Sequence, residues 1–381
     1  MFTWNYEFIK NKACMCYYLN INKQNSKILA FDLDHTLIKP KRTVFPRDID
    51  DWVYVFENVK IKLKEYHNKG YNILVFSNQG GFDKKREIIL GRIERFLIDN
   101  SEIPISVFIS TSNDLYRKPN LGMWDYYKQQ KSDLNLEESM FVGDASGRVF
   151  KKNLKLKNDF SSSDIKFAHN IGIKFLTPEE FFQNKLIDDR VSHINLCGIG
   201  FKQLKDLKSI HKFSPQNPEL FNTNLEMIIL VGYPGCGKST FKKSYVSKGY
   251  FNIEKDSLNM SKSRYLTLIK TTMKDKKRII IDSTNPDPNS RKLLINLCKE
   301  CNYKVRCLYF NIDRELSEHL NNFRMKLSKG LVEKVPSVVY NVYDKKFVLP
   351  SIDEGFNEII YVNFVPDFNN NIEEVLFYQY S

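Results

Sequence analysis

Residues 232–239 read Gly-Tyr-Pro-Gly-Cys-Gly-Lys-Ser and directly follow an apolar run at 226–231. This GxxxxGKS pattern belongs between a buried strand and a helix, because its glycines let backbone amides turn toward an anion at the helix N-terminus. The pattern therefore predicts an α/β domain that binds the phosphates of a nucleotide. The predicted contacts come from Gly232, Gly235, Gly237, Lys238, Ser239 and Thr240. Either Ser239 or Thr240 can also reach Mg²⁺, and Ser239 is the predicted ligand.

A second motif, Asp-Leu-Asp-His-Thr at 32–36, follows another apolar run at 27–31. The side chains of Asp32 and Asp34 point the same way from an extended segment, because residues two apart share a face. One carboxylate can attack phosphorus and form an aspartyl phosphate, and the other can protonate the leaving oxygen and then activate water. Both can face a phosphate as anions only if a divalent cation neutralises the site. The motif thus predicts a phosphatase with Asp32 and Asp34 among the ligands of Mg²⁺.

Three further polar residues follow later predicted strands of the same series. The hydroxyl of Ser77 can donate to a phosphate, and Lys118 can neutralise both the phosphate and Asp32. Asp144 can complete the Mg²⁺ site, since this cation prefers hard oxygen ligands. Parallel sheets bind ligands at the carboxyl ends of their strands, so we expect these side chains to meet near Asp32.

Apolar strands alternate with helices in two separate series, which indicates two parallel sheets with helices on both faces. We predict a short N-terminal extension at 1–28, a phosphatase domain at 29–190, a polar connection at 191–224 and a P-loop domain at 225–381. The predicted strands lie at 27–31, 71–76, 105–109 and 140–142 and then at 226–231, 278–281, 305–310 and 358–363. The main predicted helices lie at 56–69, 84–99 and 238–248.

Composition narrows the class of protein and its partners. The hydrophobic share of 42% and charged share of 27% are ordinary for a globular protein. No apolar run approaches the roughly 18 residues that span a bilayer. The N-terminus lacks the basic and then apolar segments of a secretion signal. The seven cysteines are scattered and do not show the spacing of a disulfide framework. We therefore expect a soluble intracellular protein that binds no membrane. Its net charge of +13 favours a polyanion such as nucleic acid, although a general lysine bias would give the same figure.

The phosphatase motifs, taken in order, resemble those of the haloacid dehalogenase superfamily, which has a Rossmann-like fold. The longer segments at 76–79, 115–124 and 141–148 are similar to the 3′-phosphatase domain of the polynucleotide kinase 3′-phosphatase family. The resemblance implies that Asp32 is the nucleophile and Asp34 the general acid and base. It further implies phosphate contacts from Ser77 and Lys118, a metal ligand in Asp144 supported by Asp164, and substrate contacts from Asn78 and Arg148.

In the P-loop domain, either Asp256 or Asp282 could serve as a base for an acceptor hydroxyl, or be a helix cap or turn residue. The segments at 231–241, 281–287 and 354–356 are similar to the 5′-kinase domain of the same family. That resemblance implies that Asp256 is the general base on a 5′-hydroxyl, that Asp282 helps to hold that end, and that Arg324 is the lid arginine. The chain departs from the family at three places. His35 stands where many relatives have glycine, Glu254-Lys255 replaces Asn-Arg, and Asn322 replaces a second lid arginine.

The two resemblances together imply an enzyme that removes a 3′-phosphate and phosphorylates a 5′-hydroxyl with ATP and Mg²⁺. The implied substrates are DNA ends, with RNA as an open alternative, and a ligase would use the products. We expect a monomer in the nucleus, with the cytoplasm as the alternative, and no forkhead-associated domain before residue 29. Two other hypotheses stay open: a small-molecule phosphatase fused to a metabolite kinase, and an inactive nucleic-acid-binding scaffold.

Overall fold

The computed structural model describes residues 2–42, 45–185, 190–196, 204, 206–207, 211–254 and 261–381. The chain divides into two compact units, and each contains its own sheet. The first unit comprises Met1–Gly200, Met325–Glu333 and Gln379–Ser381, and the second comprises Phe201–Arg324 and Lys334–Tyr378. No helix among the described residues is long and apolar enough to cross a membrane.

The first unit is built on a seven-stranded sheet flanked by helices. The strands of this unit are β1 (Asn5–Ile9), β2 (Lys12–Tyr18), β3 (Lys27–Phe31), β4 (Ile38–Lys39), β5 (Val53–Tyr54), β6 (Tyr71–Asn78), β7 (Ile105–Ser110), β8 (Met140–Val142), β9 (Arg148–Phe150), β10 (Lys174–Leu176) and β11 (Val191–Ile194). Four of them lie outside the large sheet, since β4 pairs with β5 and β9 with β11. Its helices are α1 (Val59–Asn68), α2 (Phe82–Asp99), α3 (Gly122–Gln130), α4 (Ser163–Ile171) and α5 (Pro178–Gln183).

The strand order β1-β2-β7-β6-β3-β8-β10 makes a parallel sheet with an antiparallel hairpin at one edge. The central strand β3 is buried from Ile28 to Phe31 because helices cover both faces, which is why it reads as a continuous apolar run. The predicted α/β class is confirmed. The edge strands β1 and β2 come from the segment that we set apart as an N-terminal extension.

The second unit has a six-stranded sheet in the order β12-β17-β16-β13-β15-β14, parallel except for β12. Its strands are β12 (Phe213–Ser214), β13 (Glu226–Val231), β14 (Phe251–Glu254), β15 (Ile279–Asp282), β16 (Lys304–Phe310) and β17 (Glu358–Val362). Its helices are α6 (Lys238–Ser247), α7 (Lys262–Lys274), α8 (Pro288–Glu300), α9 (Arg314–Leu327), α10 (Ser337–Lys346) and α11 (Asn371–Tyr378), although the last three residues of α9 belong to the first unit.

Candidate active sites

Asp32 lies directly after β3, at the carboxyl edge of the first sheet. Its backbone N–H donates to the carbonyl oxygen of Val142 at 2.9 Å, which joins the ends of β3 and β8. The chain leaves β3 toward β6 on one side and returns with β8 on the other, so the strand order reverses here. Open α/β sheets bind their ligands at such a reversal.

Lys118 is a buried cation between two carboxylates. Its Nζ lies 2.6 Å from Asp32 Oδ1 and 2.8 Å from Asp164 Oδ1, and the residue is only 3% exposed. Asn78 fixes the backbone of Lys118, because its Nδ2 donates to the Lys118 carbonyl at 3.1 Å and its Oδ1 accepts from the Lys118 N–H at 2.9 Å. A buried charge is tolerated when it is paired in this way.

Three carboxylates converge beside that cation. Oxygen atoms of Asp32, Asp144 and Asp164 all lie within 4.8 Å of one another. Gly143 permits this approach, since a Cβ at its position would lie 2.4 Å from Asp164 Oδ2. Three carboxylates against one ammonium leave excess negative charge, and hard oxygens at this spacing are the ligands that Mg²⁺ prefers. The residues present therefore fit a magnesium site.

The pKa values of these groups reflect the crowding. Burial raises the pKa of Asp32, Lys118 lowers it and Asp164 raises it again, with a net value of about 7. Burial also raises the pKa of Asp144 well above the usual range, and the negative charges of Asp32 and Asp164 add to the effect. Burial by itself would lower the pKa of Lys118, but the two carboxylates outweigh it and the pKa is raised. Lys118 therefore stays charged, while Asp32 and Asp144 hold protons more tightly than ordinary carboxyls.

The carboxylate of Asp34 stands apart from the three-carboxylate cluster and is held from two sides. Arg92 Nη2 donates to Asp34 Oδ1 at 2.9 Å, and Gln79 Nε2 donates to Asp34 Oδ2 at 2.6 Å. Gln79 Nε2 also lies 2.8 Å from the Oγ of Ser77. Asp34 is therefore linked both to α2 and to the end of β6.

In the second unit the phosphate-binding loop follows β13. Gly232, Gly235 and Gly237 have φ values of 155°, 78° and 95°, where side chains with a Cβ are strained. Lys238 Nζ donates to the carbonyl oxygens of Gly232, at 2.9 Å, and of Tyr233. The ammonium of Lys238 thus lies over the loop whose amides would receive an anionic phosphate.

Asp282 ends β15, the strand beside β13, and reaches the start of α6. Ser239 Oγ donates to Asp282 Oδ2 at 2.9 Å. Lys242, one turn further along α6, lies 2.9 Å from the same carboxylate oxygen and also pairs with Glu254. Glu254, which departs from the family pattern, therefore forms an ion pair with Lys242 of helix α6. Oxygen ligands from Ser239 and Asp282 together fit a second Mg²⁺ position.

Helix α9 packs against the phosphate-binding loop. A Cβ at Gly235 would lie 3.1 Å from Asn321 Cβ, and Ser317 Oγ donates to the carbonyl oxygen of Pro234 at 2.8 Å. Arg324 is exposed one turn beyond Asn321, and its Nη2 donates to Asn321 Oδ1 at 3.1 Å. The predicted lid arginine is thus carried by the helix that contacts the loop.

Comparison with known proteins supports both halves of this description. The polynucleotide kinase 3 phosphatase family model matches residues 27–182, and an AAA domain model matches residues 227–337. The chain is 37% identical over 374 residues to a protein of Acanthamoeba polyphaga mimivirus described as a bifunctional polynucleotide phosphatase/kinase, with 90% of this chain and 85% of that protein covered. A Schizosaccharomyces pombe protein described as a bifunctional polynucleotide phosphatase/kinase is 33% identical over 349 residues, with 90% and 81% covered. The chain belongs to the bifunctional polynucleotide phosphatase/kinase family.

Solved structures resemble single parts of this phosphatase/kinase. The D,D-heptose 1,7-bisphosphate phosphatase of B. bronchiseptica, complexed with magnesium and phosphate, matches 43% of this chain and 89% of its own at 13% identity, with a TM-score of 0.32. Chaetomium thermophilum Kti12, in complex with ADP-AlF3, matches 40% of this chain and 95% of its own at 14% identity, with a TM-score of 0.29.

The structure brings most of the predicted phosphatase residues of this family member together. Asp32, Ser77 and Asp144 lie at the ends of adjacent strands, and Lys118 reaches Asp32 from the loop after β7. The cluster of three carboxylates contains Asp164 in place of Asp34. Arg148, predicted to contact substrate, has its Nε 2.9 Å from Asp159 Oδ2 and its Nη1 2.9 Å from Glu179 Oε2. Asn78, also predicted to contact substrate, uses its amide group to hold Lys118. The substrate contacts and the Asp34 metal ligand stay predictions.

In the kinase unit, Asp256 lies outside the described residues, so its role as the base stays a prediction. Asp282, predicted to hold the 5′ end, contacts Ser239 and Lys242 in the structure. Three residues were missed by sequence reasoning: Gln79, Arg92 and Lys242. Arg92 left a readable signal, because it interrupts the apolar stripe of a predicted helix.

Proposed function

We propose that this chain heals nucleic-acid ends by removing 3′-phosphates at the first site and phosphorylating 5′-hydroxyls with ATP at the second. The proposal is carried by one observation: a complete carboxylate–lysine cluster and a complete phosphate-binding loop stand in the order of a family whose relatives are named for both activities. DNA is the proposed substrate, with RNA as the alternative for the test.

At the first site, an oxygen of Asp32 attacks the phosphorus, and the bond between phosphorus and the 3′ oxygen breaks. The leaving oxygen takes a proton from Asp34. Asp34 then takes a proton from water as the water oxygen attacks phosphorus, which releases phosphate and restores Asp32. Lys118 remains charged beside both the nucleophile and the incoming phosphate. Asp32, Asp144 and Asp164 would hold Mg²⁺, which would neutralise phosphate charge when bound.

At the second site, the 5′ oxygen attacks the γ-phosphorus of ATP, and the bond to the ADP oxygen breaks. The hydroxyl proton goes to Asp256, the proposed base. Lys238 and the loop amides hold the β- and γ-phosphates, and Arg324 approaches the transferred group from α9. Ser239 and Asp282 would hold Mg²⁺, which would neutralise negative charge on the phosphates when bound.

The decisive experiment uses a labelled oligonucleotide with a 5′-hydroxyl and a 3′-phosphate, incubated with Mg²⁺ and ATP. Wild type is compared with Asp32→Asn and Lys238→Ala, and matched DNA and RNA oligonucleotides identify the preferred substrate. We expect wild type to change both ends and each variant to lose only its own end. If neither end changes while sugar phosphates or free nucleotides are turned over, the metabolite-enzyme hypothesis replaces this one. Binding of the oligonucleotide without turnover would instead support the scaffold hypothesis.

The products of both reactions, a 3′-hydroxyl and a 5′-phosphate, are the ends that a ligase joins. A ligase is therefore the proposed next enzyme. The nuclear location follows from the family resemblance, and both this location and the monomeric state remain predictions.

A further inference from the structure

Arg92 occupies a core position on helix α2. The buried residues of this helix include Ile89, Arg92, Ile93, Phe96 and Leu97, spaced as one apolar face. Arg92 is only 2% exposed and is among the largest fully buried side chains of the described residues. A cation at such a position is costly to bury, and an apolar side chain there would pack at least as well. Its presence calls for a reason other than stability.

The guanidinium is directed at the predicted general acid. Its Nη2 donates to Asp34 Oδ1 at 2.9 Å, and within the described part of the chain its buried Nε has no hydrogen-bond partner. The polar contact that the structure gives this side chain is therefore the one to Asp34. On the other side, Gln79 Nε2 holds Asp34 Oδ2 at 2.6 Å.

Asp34 nevertheless remains partly exposed. Its side chain is 31% exposed, whereas the side chain of Arg92 is 2% exposed. Arg92 thus holds the carboxylate from a buried position, while the exposed part of Asp34 stays accessible to a leaving group or a water molecule. General acid catalysis depends on this kind of alignment, because the proton must be within hydrogen-bond reach of the oxygen that receives it.

Resting on the phosphatase function proposed above, we infer that Arg92 is a positioning residue that orients Asp34 for proton transfer. Among the described residues its hydrogen bond is to Asp34 and not to Asp32, the proposed nucleophile. Losing it would let the Asp34 carboxylate turn away from the 3′ oxygen, so the proton reaches the leaving alkoxide less often. The rate with a leaving group that needs no proton should not change when Arg92 is replaced.

The test compares two substrates across Arg92→Met and Arg92→Lys. One substrate is a 3′-phosphorylated oligonucleotide, whose alkoxide leaving group needs a proton, and the other is p-nitrophenyl phosphate, whose phenolate does not. kcat/KM is measured because it reports formation of the aspartyl phosphate, the step in which the leaving group departs. We expect Arg92→Met to lower this value by ~10²-fold or more on the oligonucleotide and by less than about five-fold on p-nitrophenyl phosphate. Arg92→Lys should recover part of the loss on the oligonucleotide.

Arg95→Met is the matched control, because Arg95 lies on the same helix and pairs with an aspartate, Asp50, at 3.2 Å while half exposed. It should behave as wild type on both substrates. The double variant Arg92→Met/Asp34→Asn should lose no more than Asp34→Asn alone, since residues acting as one unit are not additive. 5′-kinase activity and the thermal unfolding midpoint of the same preparations report folding.

Equal losses on the two substrates, additive losses in the double variant, or an unchanged rate on the oligonucleotide would each overturn the role of Arg92. If Arg92→Met does not fold, Arg92→Lys decides in the same way, by whether its loss is confined to the oligonucleotide. A wild-type protein that releases no phosphate from the oligonucleotide would instead overturn the proposed function itself.

Discussion

Lys118 is the residue on which the electrostatics of the first site depend. It balances Asp32 and Asp164, and both carboxylates are shielded from water by the surrounding core. Removing one partner from a buried ionic group leaves the others uncompensated, which costs about 3–5 kcal/mol. Lys118 therefore stabilises the fold and also provides the positive charge beside Asp32 and Asp164.

We predict that Lys118→Met abolishes release of 3′-phosphate and leaves the 5′-kinase activity unchanged. The loss should be about 10³-fold or more, because the nucleophile and the phosphate lose their shared cation. Phosphate release from a 3′-phosphorylated oligonucleotide measures it. Lys131→Met is the control, since Lys131 is equally buried but bonds to the Lys23 carbonyl and Asp133. A phosphatase loss of similar size in Lys131→Met would show a general packing effect.

The raised pKa of Asp32 predicts a link between pH and Mg²⁺. The pKa of Asp32 in the folded protein is about 7, above the ordinary 3.8. Without a cation, the stability that the protonated Asp32 contributes is therefore fully present below about pH 4 and is lost as the pH rises through 7. A metal must displace the proton that Asp32 holds below pH 7. We therefore expect Mg²⁺ to raise the unfolding midpoint of the first unit more at pH 8 than at pH 6. Differential scanning fluorimetry measures the shift, and Asp144→Asn should reduce it at both pH values. An equal Mg²⁺ shift at the two pH values in wild type would contradict this linkage.

At the scale of elements, the turn between β3 and β4 shows why glycine suits the position that His35 occupies in this chain. His35 has a φ of 64°, and its N–H donates to the Ile38 carbonyl at 2.8 Å. Glycine adopts this left-handed backbone without strain, whereas a residue with a Cβ does so at a cost of roughly 1–2 kcal/mol. The frequent glycine of the family therefore reflects backbone geometry at the lip of the site.

We predict that His35→Gly stabilises the first unit by about 0.5–1 kcal/mol, because relief of the strained φ exceeds the added entropy of unfolded glycine. The urea midpoint of the phosphatase unit measures the gain. His35→Ala keeps the Cβ and should give no gain. A matching increase in His35→Ala would assign the effect to loss of the imidazole.

Elements that are buried on both faces were predictable from the sequence alone. The strands at 27–31, 140–142 and 226–231 were placed at their observed bounds, because a buried parallel strand reads as an unbroken apolar run. Strands β1, β2, β10 and β14 were missed. They are edge or near-edge strands with mixed polarity, and apart from the β1–β2 hairpin their pairing partners lie far away in sequence.

At the scale of the whole molecule, the net charge of +13 bears on the substrate. Binding of a polyanion releases counterions, so its affinity falls steeply with salt, whereas a small phosphate ester gains little from this effect. We predict that raising salt from 50 to 200 mM increases the phosphatase KM for a 3′-phosphorylated 20-mer at least ~10-fold. The KM for p-nitrophenyl phosphate should change by less than about two-fold. Parallel salt dependence of the two KM values would favour a small-molecule substrate.

The sequence by itself determined the two α/β folds and the two phosphate chemistries, and it predicted the residues that would carry them, because those motifs are local and follow strands that are apolar throughout. Only the tertiary structure decided which carboxylates converge. Asp164 joins Asp32 and Asp144 because Gly143 lets α4 approach β8, and Asp34 is turned instead toward Arg92 from α2. Arg92 and Asp34 are 58 positions apart in the sequence, and Asp164 and Asp32 are 132 positions apart. No local spacing therefore encodes these contacts. Burial then raised the pKa values of Asp32 and Asp144, since a desolvated carboxyl keeps its proton until a neighbouring cation offsets the loss of water.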